Sequence, residues 1–222
     1  MEESLISFLR QQEIPFLENE LLAKHSTFKI GGPARFFCTP NSEQQLSALI
    51  KACNVQKLRY YFLGKGSNIL FADEGYEGVV IHLNTAFSTI EVLQTRLTAG
   101  AGASLAQVCN AAMQAGLSGL SFAFGIPGCV GGAVYMNAGA YGGEMKNLLI
   151  SCEHITKDGS DGILSKDDLC LSFRHSAYHD NGFIITSLLL KCTPGASDEI
   201  RQKMDMLLDR RREKQPLDHP SA

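Results

Sequence analysis

The chain has 222 residues, a net charge of −3, 45% hydrophobic and 19% charged residues, the composition of a soluble globular protein with room for one large domain or two small ones. The charge argues against a general nucleic-acid binder, and no run approaches the length of a membrane span. Met1–Arg10 places Glu2 and Glu3 where a signal peptide would be basic, so no secretion signal is read there.

Glu2–Gln12 carries Leu5, Ile6, Phe8 and Leu9 on a helical period and predicts a short amphipathic helix. Asn19–Lys29 reads as irregular. Ile30-Gly31-Gly32-Pro33 then turns the chain into a strand, Ala34–Cys38, which Pro40 ends. Asn41 or Ser42 caps a helix whose apolar face is Leu46, Leu49, Ile50 and Cys53. Arg59–Leu63 reads as a strand, Gly64–Asn68 as the turn after it, and Ile69–Phe71 as a strand resumed. Gly78–Leu83 and Thr89–Thr98 read as two more strands. Ser104 caps the helix Leu105–Ala115, and Gly116 suits the position just past its end.

Leu148–Lys157 reads as a strand, Asp158–Ser160 as a turn, Ser165–Asp168 as a loop or single helical turn, and Phe183–Thr193 as an apolar strand ended by Pro194-Gly195. Ser197 caps a last helix, Asp198–Lys214, with Ile200, Met204, Leu207 and Leu208 on one side. Its basic residues, among them Arg201, Lys203, Arg210, Arg211 and Arg212, read as a solvated face, and Pro216 stops it. The mixture predicts an α+β fold with strands in two sheets, divided into residues 1–83, 84–195 and 196–222.

Seven cysteines are scattered among apolar neighbours with no Cys-x-x-Cys, which predicts buried, reduced thiols in a cytosolic protein rather than disulfides. The six histidines offer no H-E-x-x-H, and no metal site is expected.

Two glycine loops carry the functional signal. Gly125–Gly143 interleaves glycine with Ile126, Val130, Val134, Tyr135 and Met136, residues that favour burial. Glycine in such a setting marks positive φ or the close approach of another body, and bare N–H groups on the turn can hold an anion. The competing reading is a tightly packed crossover with no ligand. Gly64-Lys65-Gly66-Ser67-Asn68 is neither a Walker A loop nor a Rossmann fingerprint, since Ile69 breaks the last glycine position. What remains is a long diphosphate held by two loops from two halves of the chain, with Ser67 and Asn68 as side-chain donors, or a plain turn. Arg174, flanked by Phe173 and His175, can grip a carboxylate by two parallel hydrogen bonds, or can pair with Asp167, Asp168 or Asp180. A Ser176–His nucleophile pair is conceivable, but no G-x-S-x-G elbow accompanies it.

Several stretches together resemble the UDP-N-acetylenolpyruvoylglucosamine reductase (MurB) family. They are Thr27–Ala34, Leu63–Leu70, Gly125–Ala133, Asn137–Gly142, Ser172–Tyr178 and Gln215-Pro216, in order along almost the whole chain. Cys129, where threonine is common, is a minor departure. The resemblance implies two α+β subdomains of the vanillyl-alcohol-oxidase type, residues 1–83 and 84–195, with FAD between them. It implies NADPH as co-substrate, a UDP-sugar substrate, and reduction of an enolpyruvyl double bond to give UDP-N-acetylmuramate. The cofactor residues it implies are Gly64, Gly66, Ser67, Asn68, Ile69, Gly125, Ile126, Pro127, Gly131, Gly132, Asn137, Ala138 and Gly139, with Arg174 on the substrate carboxylate. In the family a stretch like Asp218–Ala222 runs on into a substrate-binding domain that supplies a proton-donating serine and an assisting glutamate. The expectation is therefore that both lie beyond Ala222, that Ser221 is not that serine, and that residues 1–222 bind FAD but turn over poorly. Two other readings stand beside this one: a different flavin oxidoreductase of the same fold, and a nucleotide-binding module without catalysis.

Overall fold

A computed structural model describes residues 2–215; the expected stop at Pro216 and the tail with Ser221 lie outside the described residues. The first half opens with helix α1 (Glu2–Gln11) and strand β1 (Phe16–Leu21), followed by β2 (Pro33–Cys38), helix α2 (Glu43–Val55), β3 (Tyr60–Leu63) and β4 (Tyr76–His82). The sheet order is β1-β2-β4-β3, with β1 antiparallel to β2 and the others parallel. Parallel neighbours need a crossover, and α2 supplies it. Ser42 caps α2 by accepting from the Gln45 amide, a contact worth about 1 kcal/mol. Leu46, Leu49, Ile50 and Cys53 of α2 are fully buried against Leu5 and Leu9 of α1, as their spacing predicts.

The second half runs β5 (Ile90–Leu93), β6 (Arg96–Gly100), α3 (Leu105–Gln114), β7 (Leu117–Ser118), α4 (Val130–Tyr135), β8 (Gly139–Ala140), β9 (Gly143–Glu144), β10 (Leu149–Ile155), β11 (Asp161–Ser165), α5 (Tyr178–Asn181), β12 (Ile184–Lys191), β13 (Thr193–Pro194) and α6 (Ser197–Lys214). Five strands form an antiparallel sheet in the order β11-β10-β12-β6-β5, and α3, α4 and α6 share its core. Ser104 and Gln107 cap α3 reciprocally in a capping box. Ile155 and Ile184, at the ends of β10 and β12, bury themselves with Leu5, Phe36 and Leu46 of the first half, so a shared apolar seam joins the two sheets.

The structure corrects or completes the sequence reading in five places. Thr89–Thr98 is a hairpin, not one strand; Gln94 turns it with a φ of 54°. Asn19–Lys29 is not wholly irregular, since β1 ends at Leu21 and a 3-10 turn follows at Leu22–His25. Asp161–Ser165 is an edge strand. Ile69–Phe71 forms no strand. Ser197 is the first residue of α6 rather than its cap, and its hydroxyl donates instead to the Met113 carbonyl at 2.8 Å.

Candidate functional site

The two glycine loops meet. Ser67 Oγ donates to the Pro127 carbonyl at 2.8 Å, and a methyl built on Gly64 would stand 2.6 Å from Cys129 Sγ. The Gly64–Asn68 turn is held from behind: the Thr27 amide and hydroxyl reach the Gly66 carbonyl at 3.0 and 3.4 Å. Gly66 has a φ of +63°, and a Cβ there would lie 1.9 Å from the His25 carbonyl oxygen, so no other residue fits. Among the described residues, the amides of Lys65, Gly66, Ser67 and Asn68 find no protein acceptor. Successive free amides on a tight turn, with Lys65 exposed among them, fit an anionic group such as a diphosphate. The Ser67 hydroxyl proton is engaged by Pro127, which leaves its lone pairs and the exposed Asn68 side chain facing out. Ile69 is half-buried against the Leu22 and Phe71 cluster.

The second segment divides between packing and exposure. The Val130 and Gly131 amides donate to the Ala103 and Ala101 carbonyls at 2.9 Å, so they are not the bare donors that the glycine content suggests. A Cβ on Gly131 would stand 2.8 Å from that of Ala101, and one on Gly139 would stand 2.8 Å from Glu144 Cγ; both glycines permit close approach of the protein to itself. Gly132 differs: it is exposed, and the nearest atom to a methyl there is Cys129 Sγ at 3.6 Å. Gly125 backs onto α6, where a methyl built on it would stand 3.2 Å from Arg211 Cδ; Ile126 is half-buried and Pro127 exposed. Ala138 is buried, with its amide on the Ala133 carbonyl at 2.7 Å.

Arg174 sits at the tip of a two-residue hairpin. Ser172 and His175 exchange backbone hydrogen bonds at 3.1 and 3.3 Å, and Arg174 has a φ of 54°. Its guanidinium lies 5.8 Å from the ring centroid of Phe173, which is 89% exposed. Among the described residues it pairs with no carboxylate: Asp168 holds Ser165, and Asp180 lies 3.5 Å from His175. The cation is thus available to a ligand. Its field still reaches Glu144, whose carboxyl is held below the ordinary range chiefly by Lys146 and Asn137, with Arg174 a lesser contribution.

Asn137 and Ser176 hold roles other than those the sequence reading gave them, and a row of rings beside them escaped it. The Asn137 carboxamide is fully engaged within the protein, donating to Glu144 Oε2 (3.0 Å) and the Ser172 carbonyl (2.8 Å) and accepting from the Lys146 amide (3.0 Å). Ser176 is fully buried and donates to the Tyr135 carbonyl at 2.7 Å, which makes it a strut and no nucleophile. Tyr135, His179 and His175 stack in a row, 3.9 and 4.8 Å between centroids. Burial, then the Asp180 charge, pushes the Tyr135 phenol up; burial, then Tyr135 itself, does the same to Tyr61 across the gap. The adjacency of polar and aromatic residues in Tyr135–Asn137 and Ser172–His179 is the one signal that could have found them.

Residues 34–160 match a family model described as an FAD binding domain. A UDP-N-acetylenolpyruvoylglucosamine reductase from Agathobacter rectalis is 42% identical over 236 residues, covering 100% of this chain and 75% of that protein. One from Clostridium novyi is 41% identical, covering 98% of this chain and 70% of that protein. The crystal structure of the Thermus caldophilus reductase (MurB) superposes with a TM-score of 0.78 at 34% identity, over 91% of this chain and 70% of that one. Berberine bridge enzyme, at 13% identity and a TM-score of 0.67 over 89% of this chain and 44% of its own, shares the fold. On these matches the chain belongs to the UDP-N-acetylenolpyruvoylglucosamine reductase family.

Proposed function

We propose that the protein is an FAD-dependent reductase that saturates the enolpyruvyl double bond of UDP-N-acetylglucosamine enolpyruvate, with NADPH as reductant, to give UDP-N-acetylmuramate for peptidoglycan precursor synthesis. The observation that carries this reading is Arg174, a cation without a carboxylate partner among the described residues, held on a tight hairpin. FAD, when bound and reduced by NADPH, supplies the hydride for this class of reaction. Arg174 grips the substrate carboxylate through its forked N–H groups. As charge moves onto that carboxylate in the transition state, the fixed guanidinium offsets it, a role whose loss typically costs about 10²–10³ in rate.

The cofactor falls to the glycine loops. The amides of Lys65 to Asn68 suit its diphosphate, and the open face at Gly132 admits its close approach. Gly64, Ile69, Gly125, Ile126, Pro127, Gly131, Ala138 and Gly139 shape the walls around it, by backbone and by packing. Residues 1–83 and 84–195 are assigned as the two FAD-binding subdomains, and 196–222 as a helix and tail. Among the described residues no helix is long and apolar enough to cross a membrane, and all seven cysteines are free, which fits a reducing cytoplasm.

An absorbance spectrum of the purified protein before and after denaturation tests the cofactor; a flavin chromophore released on unfolding is expected. In anaerobic single-turnover experiments at saturating enolpyruvyl substrate, where poor steady-state turnover is no obstacle, the reduced, FAD-loaded protein should be reoxidised, and Arg174→Ala should slow this by about 100-fold or more. A protein that stays colourless with added FAD, or an Arg174→Ala variant as fast as its parent, would overturn the reading.

A further inference from the structure

The Arg174 hairpin has no regular secondary structure to hold it, yet its position decides where the guanidinium points. We infer that Asn137, through its side-chain amide, is the positioning residue for Arg174. One carboxamide satisfies three groups on two segments: the Ser172 carbonyl at the base of the hairpin, and the Glu144 carboxylate of β9 with the Lys146 amide just beyond it. It is 2% exposed and has a φ of 38°, a left-handed backbone that asparagine tolerates better than most residues. Both side-chain N–H donors and the oxygen are in use, so the amide is a brace and not a cofactor ligand. Glu144 is itself tied to Lys146 at 3.0 Å, so the brace rests on an ion pair. Just past the hairpin Ser176 Oγ fastens it to the Tyr135 carbonyl. Asn137 follows α4 by two residues. The brace therefore links the segment proposed to line the cofactor with the cation proposed to hold the substrate.

This inference rests on the reading of Arg174 as the carboxylate-binding group, and its test separates the two. Asn137→Asp keeps the shape and the left-handed backbone but loses both donors; Asn137→Gly keeps the backbone and loses the side chain. Tryptic cleavage after Arg174, mapped by mass spectrometry on the FAD-loaded protein, reads hairpin order without any turnover. Both variants should be cut there about tenfold faster than the parent or more, with cleavage elsewhere unchanged, as expected for buried hydrogen bonds to a carbonyl and a charged group. FAD affinity should stay within about threefold, and substrate-driven reoxidation should slow by roughly ten- to a hundredfold. Combining Asn137→Asp with Arg174→Ala should be no slower than Arg174→Ala alone, because the two act as one unit. Unchanged cleavage after Arg174 would overturn the inference. So would a loss of FAD affinity beyond about tenfold with normal reoxidation at saturating FAD, the behaviour of a cofactor ligand. If Arg174→Ala alone proved as fast as the parent, the reading of Arg174 would fall, and cleavage would still judge the brace.

Discussion

Ser67 and Pro127, 60 residues apart, are joined by a hydrogen bond of 2.8 Å from hydroxyl to carbonyl. It is the direct link between the glycine turn after β3 and the glycine segment before α4. Each loop is fixed to its own half of the molecule, so this bond sets how closely they approach. Ser67→Ala should leave the fold intact, since each loop keeps its own anchors. It should weaken FAD binding by roughly three- to tenfold, the scale of one net hydrogen bond. Titration of the apoprotein with FAD, followed by flavin fluorescence, checks this; unchanged affinity would mean that the bond does not shape the proposed cofactor site.

Gly131 and Gly132 are neighbours with opposite expectations. A methyl on Gly131 would meet Ala101 Cβ at 2.8 Å and its carbonyl oxygen at 3.1 Å. Overpacking of that kind costs about 1–3 kcal/mol, so Gly131→Ala should lower the melting temperature. A methyl on Gly132 meets Cys129 Sγ at an ordinary 3.6 Å. Replacing glycine within a helix gains about 0.5–1 kcal/mol, so Gly132→Ala should match or exceed the parent in apoprotein stability. The same methyl occupies the face proposed for the cofactor and should weaken FAD binding by about tenfold or more. A Gly132→Ala protein that binds FAD normally would remove Gly132 from the cradle.

How much of this was legible in the sequence depends on how far each signal travels along the chain. The Ser104 cap of α3 was readable, as was the buried face of α2, while the reciprocal contact of Gln107 was seen only in the structure. Strand β1 was missed because Leu17, Glu18 and Asn19 all face solvent on a sheet edge, which blurs the alternation. The β5–β6 hairpin was missed because Gln94 takes the left-handed turn without the Asn-Gly or Asp-Gly that usually marks one. The convergence of the two loops could be guessed from glycine content, but its geometry is set at a separation of 60 residues. For Arg174, composition favoured an ion pair with a nearby aspartate, and the hairpin at Ser172–His175 points it elsewhere. Glycine alone could not separate Gly131, which packs, from Gly132, which opens.

Two histidines should make stability fall in mild acid. His154 is 4% exposed and stacks on Phe183, its centroid 4.8 Å away; burial lowers its pKa, against an opposing backbone contact at Cys152. His82 is likewise lowered, first by burial, while its ring contacts the Leu63 carbonyl at 3.1 Å. Both take up protons less readily in the fold than in the unfolded chain, where the pKa is about 6.5. Their contribution is therefore fully present above about pH 6.5 and is lost as pH falls from there through the lower folded values. The melting temperature should be flat between about pH 7 and 8 and drop by a few degrees by about pH 5.5, at roughly 2–4 °C per kcal/mol. His154→Gln should flatten part of that drop. A parent protein with the same melting temperature at both ends of this range would refute the assignment.

The cysteines should fall into two classes of reactivity. Burial pushes the Cys53, Cys109 and Cys152 thiols up to about 12 and raises Cys38 and Cys192 as well. Since the thiolate is the reactive form, these groups are inert twice over, by access and by protonation. Cys129 is buried beneath the meeting point of the loops, and Cys170 alone among the seven is exposed. An aromatic disulfide reagent at about pH 8 should therefore react promptly with one thiol in the native protein, and with all of them only after denaturation. Cys170→Ser should remove the prompt phase. A second fast thiol that disappears when FAD is added would be Cys129, and would mean that the loop junction opens in the apoprotein further than the Ser67–Pro127 bond allows.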